Sequence, residues 1–176
     1  MGVNAPPSDQ NLAQGNKFAL SFSRLPYIQF FVQTVNAPGI MTSPAMQPTP
    51  FITAPVPADK MQYEQLNLSC LLDEPMWSWT SVNDWLKGIT FPENFEQYQN
   101  LRMQQRLQTQ NKKPQYSDCQ LTVFTNKNNP IMNLYFKDVF PVSLSGIQFS
   151  TKTPATEVLT FDASFAFTNY DIVRAV

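Results

Sequence analysis

The sequence of 176 residues contains no histidine. This removes the side chain that most often serves as base in nucleophilic triads and as nitrogen ligand to zinc. With five glycines there is no GxGxxG or phosphate-loop signature, and the two cysteines, Cys70 and Cys119, make no CxxC pair. Charge is scarce too. Charged residues are 14% of the chain, below the usual quarter, and the net charge is -1. The one basic doublet is Lys112-Lys113, and Arg102 with Arg106 has i,i+4 helical spacing; a solvated helix face accounts for both, so no electrostatic footprint for nucleic acid is read. No apolar run approaches the ~18 residues of a membrane span. The opening MGVNAPPS lacks the basic and apolar regions of a secretory leader, and Pro6 stands where a myristoylation signal needs Ser or Thr.

Little remains for catalysis. Asp73-Glu74 is the tempting carboxylate pair, but consecutive strand residues point to opposite faces, so the pair reads as an acidic strand end opening a turn at Pro75. Trp77, Trp79, Trp85 and Tyr98 invite a sugar-stacking reading, against the commoner role of aromatics as core. Cys70 and Cys119 read as small buried hydrophobes of a reduced protein, with a bridge left open in case their strands are neighbours. The expectation is a protein that is not an enzyme and needs no cofactor or metal.

What the chain has is apolar, aromatic and proline-rich: 43% apolar residues, 13% aromatics and fifteen prolines. A chain of this length buries roughly two-thirds of its unfolded surface as one domain, without a staple. Low charge suggests surface hidden against other molecules; an ordinary β-rich protein is the alternative.

The apolar period switches within residues 66–89. Leu66, Leu68, Cys70 and Leu72 alternate as a strand, and Val82, Trp85 and Leu86 follow as a helical stripe, with Thr80 as N-cap and Gly88 as stop. Further strands are expected at residues 18–22 and 27–35, joined as a hairpin, at 117–125 and 131–136 as a second hairpin, and at 147–150. A sharp corner at residues 139–146 carries Phe140, and one long closing strand spans 158–170 with Phe161, Phe165 and Phe167 on one face. Residues 93–113 read as a second helix whose Gln-rich end frays. Residues 37–59 are studded with Pro38, Pro44, Pro48, Pro50, Pro55 and Pro57, which forbid helix and favour extended, edge-like chain. Ile40, Met41, Met46, Phe51, Ile52 and Val56 in that stretch would each cost roughly 1.5–3 kcal/mol if left wet. A linker, packing on the chain itself and covering by a neighbouring chain all remain open, with the last favoured.

Several of these residues carry a resemblance. Asp73-Glu74 is followed by a tryptophan, Trp85, twelve positions after the aspartate. Asn133-Leu134-Tyr135-Phe136-Lys137-Asp138-Val139-Phe140-Pro141, with Leu144 and the FDASFAFTNYD strand from Phe161 to Asp171, forms a strand, an aromatic-proline corner and a closing strand. Ala37-Pro38-Gly39-Ile40 opens a long loop. Over most of residues 17–170 the chain resembles the tail tube proteins of contractile-tailed bacteriophages, to which type VI secretion tubes are similar.

The resemblance implies a mainly β fold: an antiparallel β-sandwich or barrel of about seven strands, with one flanking α-helix and a long extended Pro-rich loop. It implies a flexible N-terminal arm over 1–16, a single domain over 17–176, and an inter-subunit loop over 38–59. Pro38, Gly39, Ile40, Met41, Met46, Phe51, Ile52 and Val56 become candidate interface residues; Trp85, Leu86, Phe140, Phe161, Phe165 and Phe167 become core and helix-packing residues. The implied function is a structural subunit assembled into stacked hexameric rings, a conduit that DNA crosses without specific binding; the net charge of -1 and the dispersed lysines add the expectation of a neutral or acidic lumen. Implied partners are sheath, baseplate and tail-terminator proteins, in a virion tail assembled in the bacterial host cytoplasm. The Pro-studded loop and the long Gln-rich helix leave open a baseplate tube initiator of the same fold, and a ligand-binding β-sandwich module is the alternative from another class.

Overall fold

Alternation of apolar and polar residues sets the inner faces of the strands, and those faces meet. The computed structural model describes residues 12–90, 92, 95–106, 114–152 and 158–174. In order these form β1 (Phe18–Phe22), β2 (Val32–Val35), β3 (Ile40–Thr42), β4 (Ala45–Pro48), β5 (Thr53–Val56), β6 (Met61–Tyr63), β7 (Leu66–Leu71), α1 (Trp77–Thr90), α2 (Glu96–Arg106), β8 (Ser117–Phe124), β9 (Pro130–Leu144), β10 (Thr160–Ala166) and β11 (Asn169–Arg174). Seven strands make the main antiparallel sheet, in the order β1-β8-β9-β10-β7-β2, with β11 also on β9. The fold is mainly β, as expected. The four remaining strands, β3 to β6, pair among themselves.

The main sheet becomes two layers because β9 belongs to both. Its first part lies between β8 and β11, and its second part pairs with β10. Along its β10/β11 edge the register shifts once, between Ser164↔Ser143 and Phe165↔Pro141, and is then constant from Ala166↔Phe140 through Asn169↔Lys137 to Arg174↔Met132. Opposite β8 one extra β9 residue is inserted between the pairs Ser117↔Val139 and Cys119↔Phe136. Asp138, at φ 54°, sits in this bulge, a backbone region that aspartate tolerates better than most residues. The bend therefore falls at Asp138, ahead of the expected corner, and Val139–Leu144 continue as strand. The single long strand expected over 158–170 is two strands, broken at Phe167-Thr168 opposite the bulge.

The two layers close on Leu20, Phe22, Leu66, Leu68, Cys70, Leu121, Phe136, Val139, Phe161 and Phe165, all buried. Phe22 of one layer meets Phe165 of the other at 5.0 Å between ring centroids, and Trp85 of α1 reaches Phe165 at 6.0 Å. Val82, Trp85 and Leu101 bring the two helices onto the same core.

Other expectations are corrected. Residues 18–35 form no hairpin, since β1 pairs with β8 and β2 with β7. A single 3-10 turn, Ile28–Phe30, interrupts the second run, because Ile28 plugs the core while the chain crosses between layers. Residues 147–150 are not a strand; Phe149 is 67% exposed and the stretch has no buried face to pair on. Helix α1 starts three residues before Thr80. Asp73 caps it instead, accepting from the Trp77 and Ser78 N–H groups at 2.9 and 3.1 Å and from the Ser78 hydroxyl. Gly88 does not stop the helix, which runs to Thr90; a Cβ there would stand 2.7 Å from Leu101, so the glycine lets α1 and α2 approach. Cys70 and Cys119 are both free and buried, with no bridge between them. The end of the expected second helix, 107–113, and most of the expected N-terminal arm, 1–11, lie outside the described residues.

Candidate assembly interface

Prolines and a scarcity of charge shape the segment between β2 and β7. Residues 37–58 contain no Asp, Glu, Lys or Arg. The chain here is a long two-stranded hairpin and not the ladder-poor extended loop that the sequence suggested. Ile40 pairs with Tyr63 and Thr42 with Met61 near the root; Ala45 pairs with Val56 and Pro48 with Thr53 beyond. Two extra residues on the returning side separate the two ladders. A two-stranded ribbon has only edge strands, so Pro48 and Pro55 can sit with their donor-free nitrogens turned outward. At the tip the Thr49 N–H donates to the Ile52 carbonyl at 2.9 Å, and the Thr49 hydroxyl accepts from the Ile52 N–H at 3.2 Å.

The root is held firmly. Asn36 donates through its side-chain amide to the Gln65 carbonyl at 3.0 Å and accepts from the Asn67 N–H at 2.6 Å. Gly39 and Glu64 are paired twice, with the Gly39 N–H donating to the Glu64 carboxylate at 3.2 Å and the Glu64 N–H to the Gly39 carbonyl at 3.0 Å. Tyr63 donates to Asn169 Oδ1 at 2.8 Å and packs its ring 5.5 Å from Phe167 and 5.4 Å from Tyr170.

Away from the root the arm is apolar and wet. Phe51 at the tip is 95% exposed, and Ile40, Met41, Met46, Ile52 and Met61 are all exposed by half or more. Among the other candidate interface residues Val56 and Gly39 are half-buried and Pro38 is buried. Of the candidate core residues Trp85, Phe161 and Phe165 are buried, while Leu86, Phe140 and Phe167 are partly so. The structure thus brings Ile40, Met41, Met46, Phe51, Ile52 and Val56 onto one projection, with Pro38 and Gly39 at its root and the core candidates in the body of the molecule. The returning strand, with Met61 and Tyr63, was not singled out from the sequence; its signal was the period-two spacing of those two residues just before β7.

A second exposed apolar region surrounds a 460 Å³ cleft between the turn at Leu25–Ile28 and the first turns of α1. Leu25 and Trp85 are buried there, whereas Tyr27 and Trp77 at the mouth are 69% and 65% exposed. The Trp85 Nε1–H donates to the Gln115 carbonyl at 3.1 Å, and the Arg24 guanidinium lies 5.2 Å over its ring while donating to the Pro114 carbonyl at 2.8 Å. Burial lowers Arg24 to about 10, so it stays charged at neutral pH. The aromatics Trp77, Trp79 and Trp85 do not form a stacking platform: Trp85 is core and Trp79 donates its ring N–H to the Ser145 carbonyl at 3.1 Å. Among the described residues no cluster of three acids or thiols could hold a metal. Burial pushes the Cys70 thiol up to about 12 and Cys119 also upward, which leaves both chemically inert.

The chain is similar in fold to proteins of contractile injection machines. It matches a chain of the anti-feeding prophage tube terminating cap with a TM-score of 0.66 at 12% identity, over 99% of this chain and 100% of that one. It matches a chain of the anti-feeding prophage baseplate at 0.60 and 10% identity, over 94% and 97%. A chain of an extracellular contractile injection system's sheath-tube complex in the extended state matches at 0.58 and 10% identity, over 94% of each. A comparison with curated protein sequences finds no match. The family model described as phage tail tube protein matches residues 4–173, nearly the whole sequence, and the chain therefore belongs to the phage tail tube protein family.

Proposed function

We propose that this protein is the structural subunit of a tail tube, assembling with copies of itself into hexameric rings that stack into a conduit for DNA. The observation that carries this reading is the arm: a root-anchored β-ribbon, free of charge over residues 37–58, with Phe51 and five further apolar side chains in water. Their burial against neighbouring copies is worth roughly 1.5–3 kcal/mol each, enough in sum to drive association. The unpaired edges of β1 and β2 offer further strand-pairing sites among the described residues.

The outer faces of both layers suit passage without gripping. One shows Ser21, Ser23, Gln120, Thr122 and Asn133; the other shows Asn67, Ser69, Asp162 and Ser164. Lys137 on the first face is paired with Asp171 at 2.5 Å, with Asp118 and Asp138 beside it, so a lumen lined by either face would be neutral or acidic and would let a polyanion slide. Sheath, baseplate and terminator proteins are the partners that such a tube requires, in a virion tail built in the bacterial host cytoplasm.

The test is assembly. Replacing Ile40, Met46, Phe51 and Ile52 together by Ser should leave a folded monomer by circular dichroism and abolish polymers by light scattering and electron microscopy. Intact tubes from this variant would refute the reading. The initiator reading is separated in the same experiment, since a tube initiator halts at a single ring where a tube subunit grows long cylinders.

A further inference from the structure

We propose that the cleft between the Leu25–Ile28 turn and the first turns of α1 receives the arm tip, Phe51-Ile52, of a second copy of this chain. The inference rests on the tube-subunit reading and adds to it where the arm docks.

Topology supplies the first argument. Strand β7 begins at Leu66, beside the arm root, and ends at Leu71, whose N–H donates to the Phe31 carbonyl just before the chain enters α1 through Asp73. The arm and the cleft therefore sit at opposite ends of one six-residue strand, roughly 20 Å apart. A knob at one pole and a recess at the other are separate surfaces, so the knob of one copy can enter the recess of the next while its own recess stays free for a third. They fit head to tail, the arrangement from which rings and stacks grow.

Chemistry and size supply the second. The tip offers a phenyl ring and a branched aliphatic chain, 95% and 67% exposed, with no ionisable group within residues 37–58. The cleft offers a floor of Leu25 and Trp85 and a mouth of exposed Tyr27 and Trp77, with Thr80, Ser81 and the exposed Asp84 carboxylate along its α1 side. Its 460 Å³ lies in the range that encloses a small organic ligand. Arg24 at its edge already has the Pro114 carbonyl and the Trp85 ring as partners, so closing the cleft strands no cation. The six exposed apolar side chains of the arm present on the order of 800 Å², taking roughly 200 Å² per large side chain, close to one partner's share of a stable interface.

Cross-linking between two differently marked chains tests the contact. Full-length Phe51→Cys is mixed with full-length Tyr27→Cys under mild oxidation, with Phe51→Cys plus Lys152→Cys as the control pair; native Cys70 and Cys119 are buried and do not take part. The docking predicts at least tenfold more mixed dimer for the first pair than for the control, and loss of polymers with Tyr27→Asp/Trp77→Asp at an unchanged melting temperature. If Phe51→Asp blocks assembly while the 51–27 pair links no faster than the control, the arm still clasps a neighbour and the proposed acceptor is wrong. If Tyr27→Asp/Trp77→Asp assembles normally, the cleft serves a partner other than a second copy and the proposal also falls. Normal assembly of Phe51→Asp/Ile52→Asp instead overturns the tube-clasp reading beneath it.

Discussion

Asp73 shows how much one side chain can organise. It ends the run from β7, and its carboxylate takes the first free N–H groups of α1, which sets Trp85 eight residues into the helix and facing the core. Burial pushes this carboxyl up, but the Ser78 hydroxyl and the backbone N–H groups of Ser78 and Trp77 outweigh that and hold it below the usual range. A lowered carboxyl stabilises the fold above its unfolded value near ~4 and loses that contribution as pH falls through the folded one. Asp73→Ala should therefore cost about 1 kcal/mol at neutral pH. Urea titrations between about pH 5 and 2 should show a decline in wild-type stability that the variant lacks in part. The twelve-residue spacing from Asp73 to Trp85 was readable in the sequence, whereas its reason, a cap coupled to a core aromatic, needed the helix start to be placed. Thr80 looked like the cap because hydroxyls favour that position; instead its hydroxyl donates to the Met76 carbonyl one turn back at 2.8 Å, inside the helix.

At the scale of elements, the bulge in β9 decides the architecture. Asp138 holds φ 54° where a β-branched residue would be strained. Asp138→Gly should keep stability within about 1 kcal/mol, whereas Asp138→Val should lose on the order of 1–2 kcal/mol or more, measured by denaturant midpoints. Strands with one buried face were legible, because β1, β7, β10 and the first part of β8 alternate between buried and less buried residues. Partners were less so. Residues 18–35 looked like a hairpin on proximity alone, yet Ile28 and Phe22 belong to a core that only the non-local β1–β8 and β2–β7 ladders can close. The prolines of the arm hid its ladder for a related reason: a ribbon made wholly of edges tolerates them, and period alone does not reveal that. Gly88 had the position of a helix stop, and its close approach to Leu101 depends on a helix packing that no local pattern encodes.

For the whole molecule, the sandwich buries its own core whereas the arm leaves its large apolar side chains exposed. Because residues 37–58 lack ionisable side chains, association through the arm should be indifferent to screening. Sedimentation of assembled protein should be unchanged, or shifted to larger species, as NaCl rises from about 0.05 to 1 M, and sulfate should favour assembly further. Dissolution by salt would place the driving force in charges elsewhere. The same body carries its stiffness in one place. Strand β9 runs as one chain through both layers, and its ladder is in constant register from Phe165 of β10 to Arg174 of β11, so neither layer can slide past the other without tearing that ladder. A thrust delivered to one face is handed to the opposite face by covalent chain and main-chain bonds, and a pile of such subunits would move as a piston, not as loose discs.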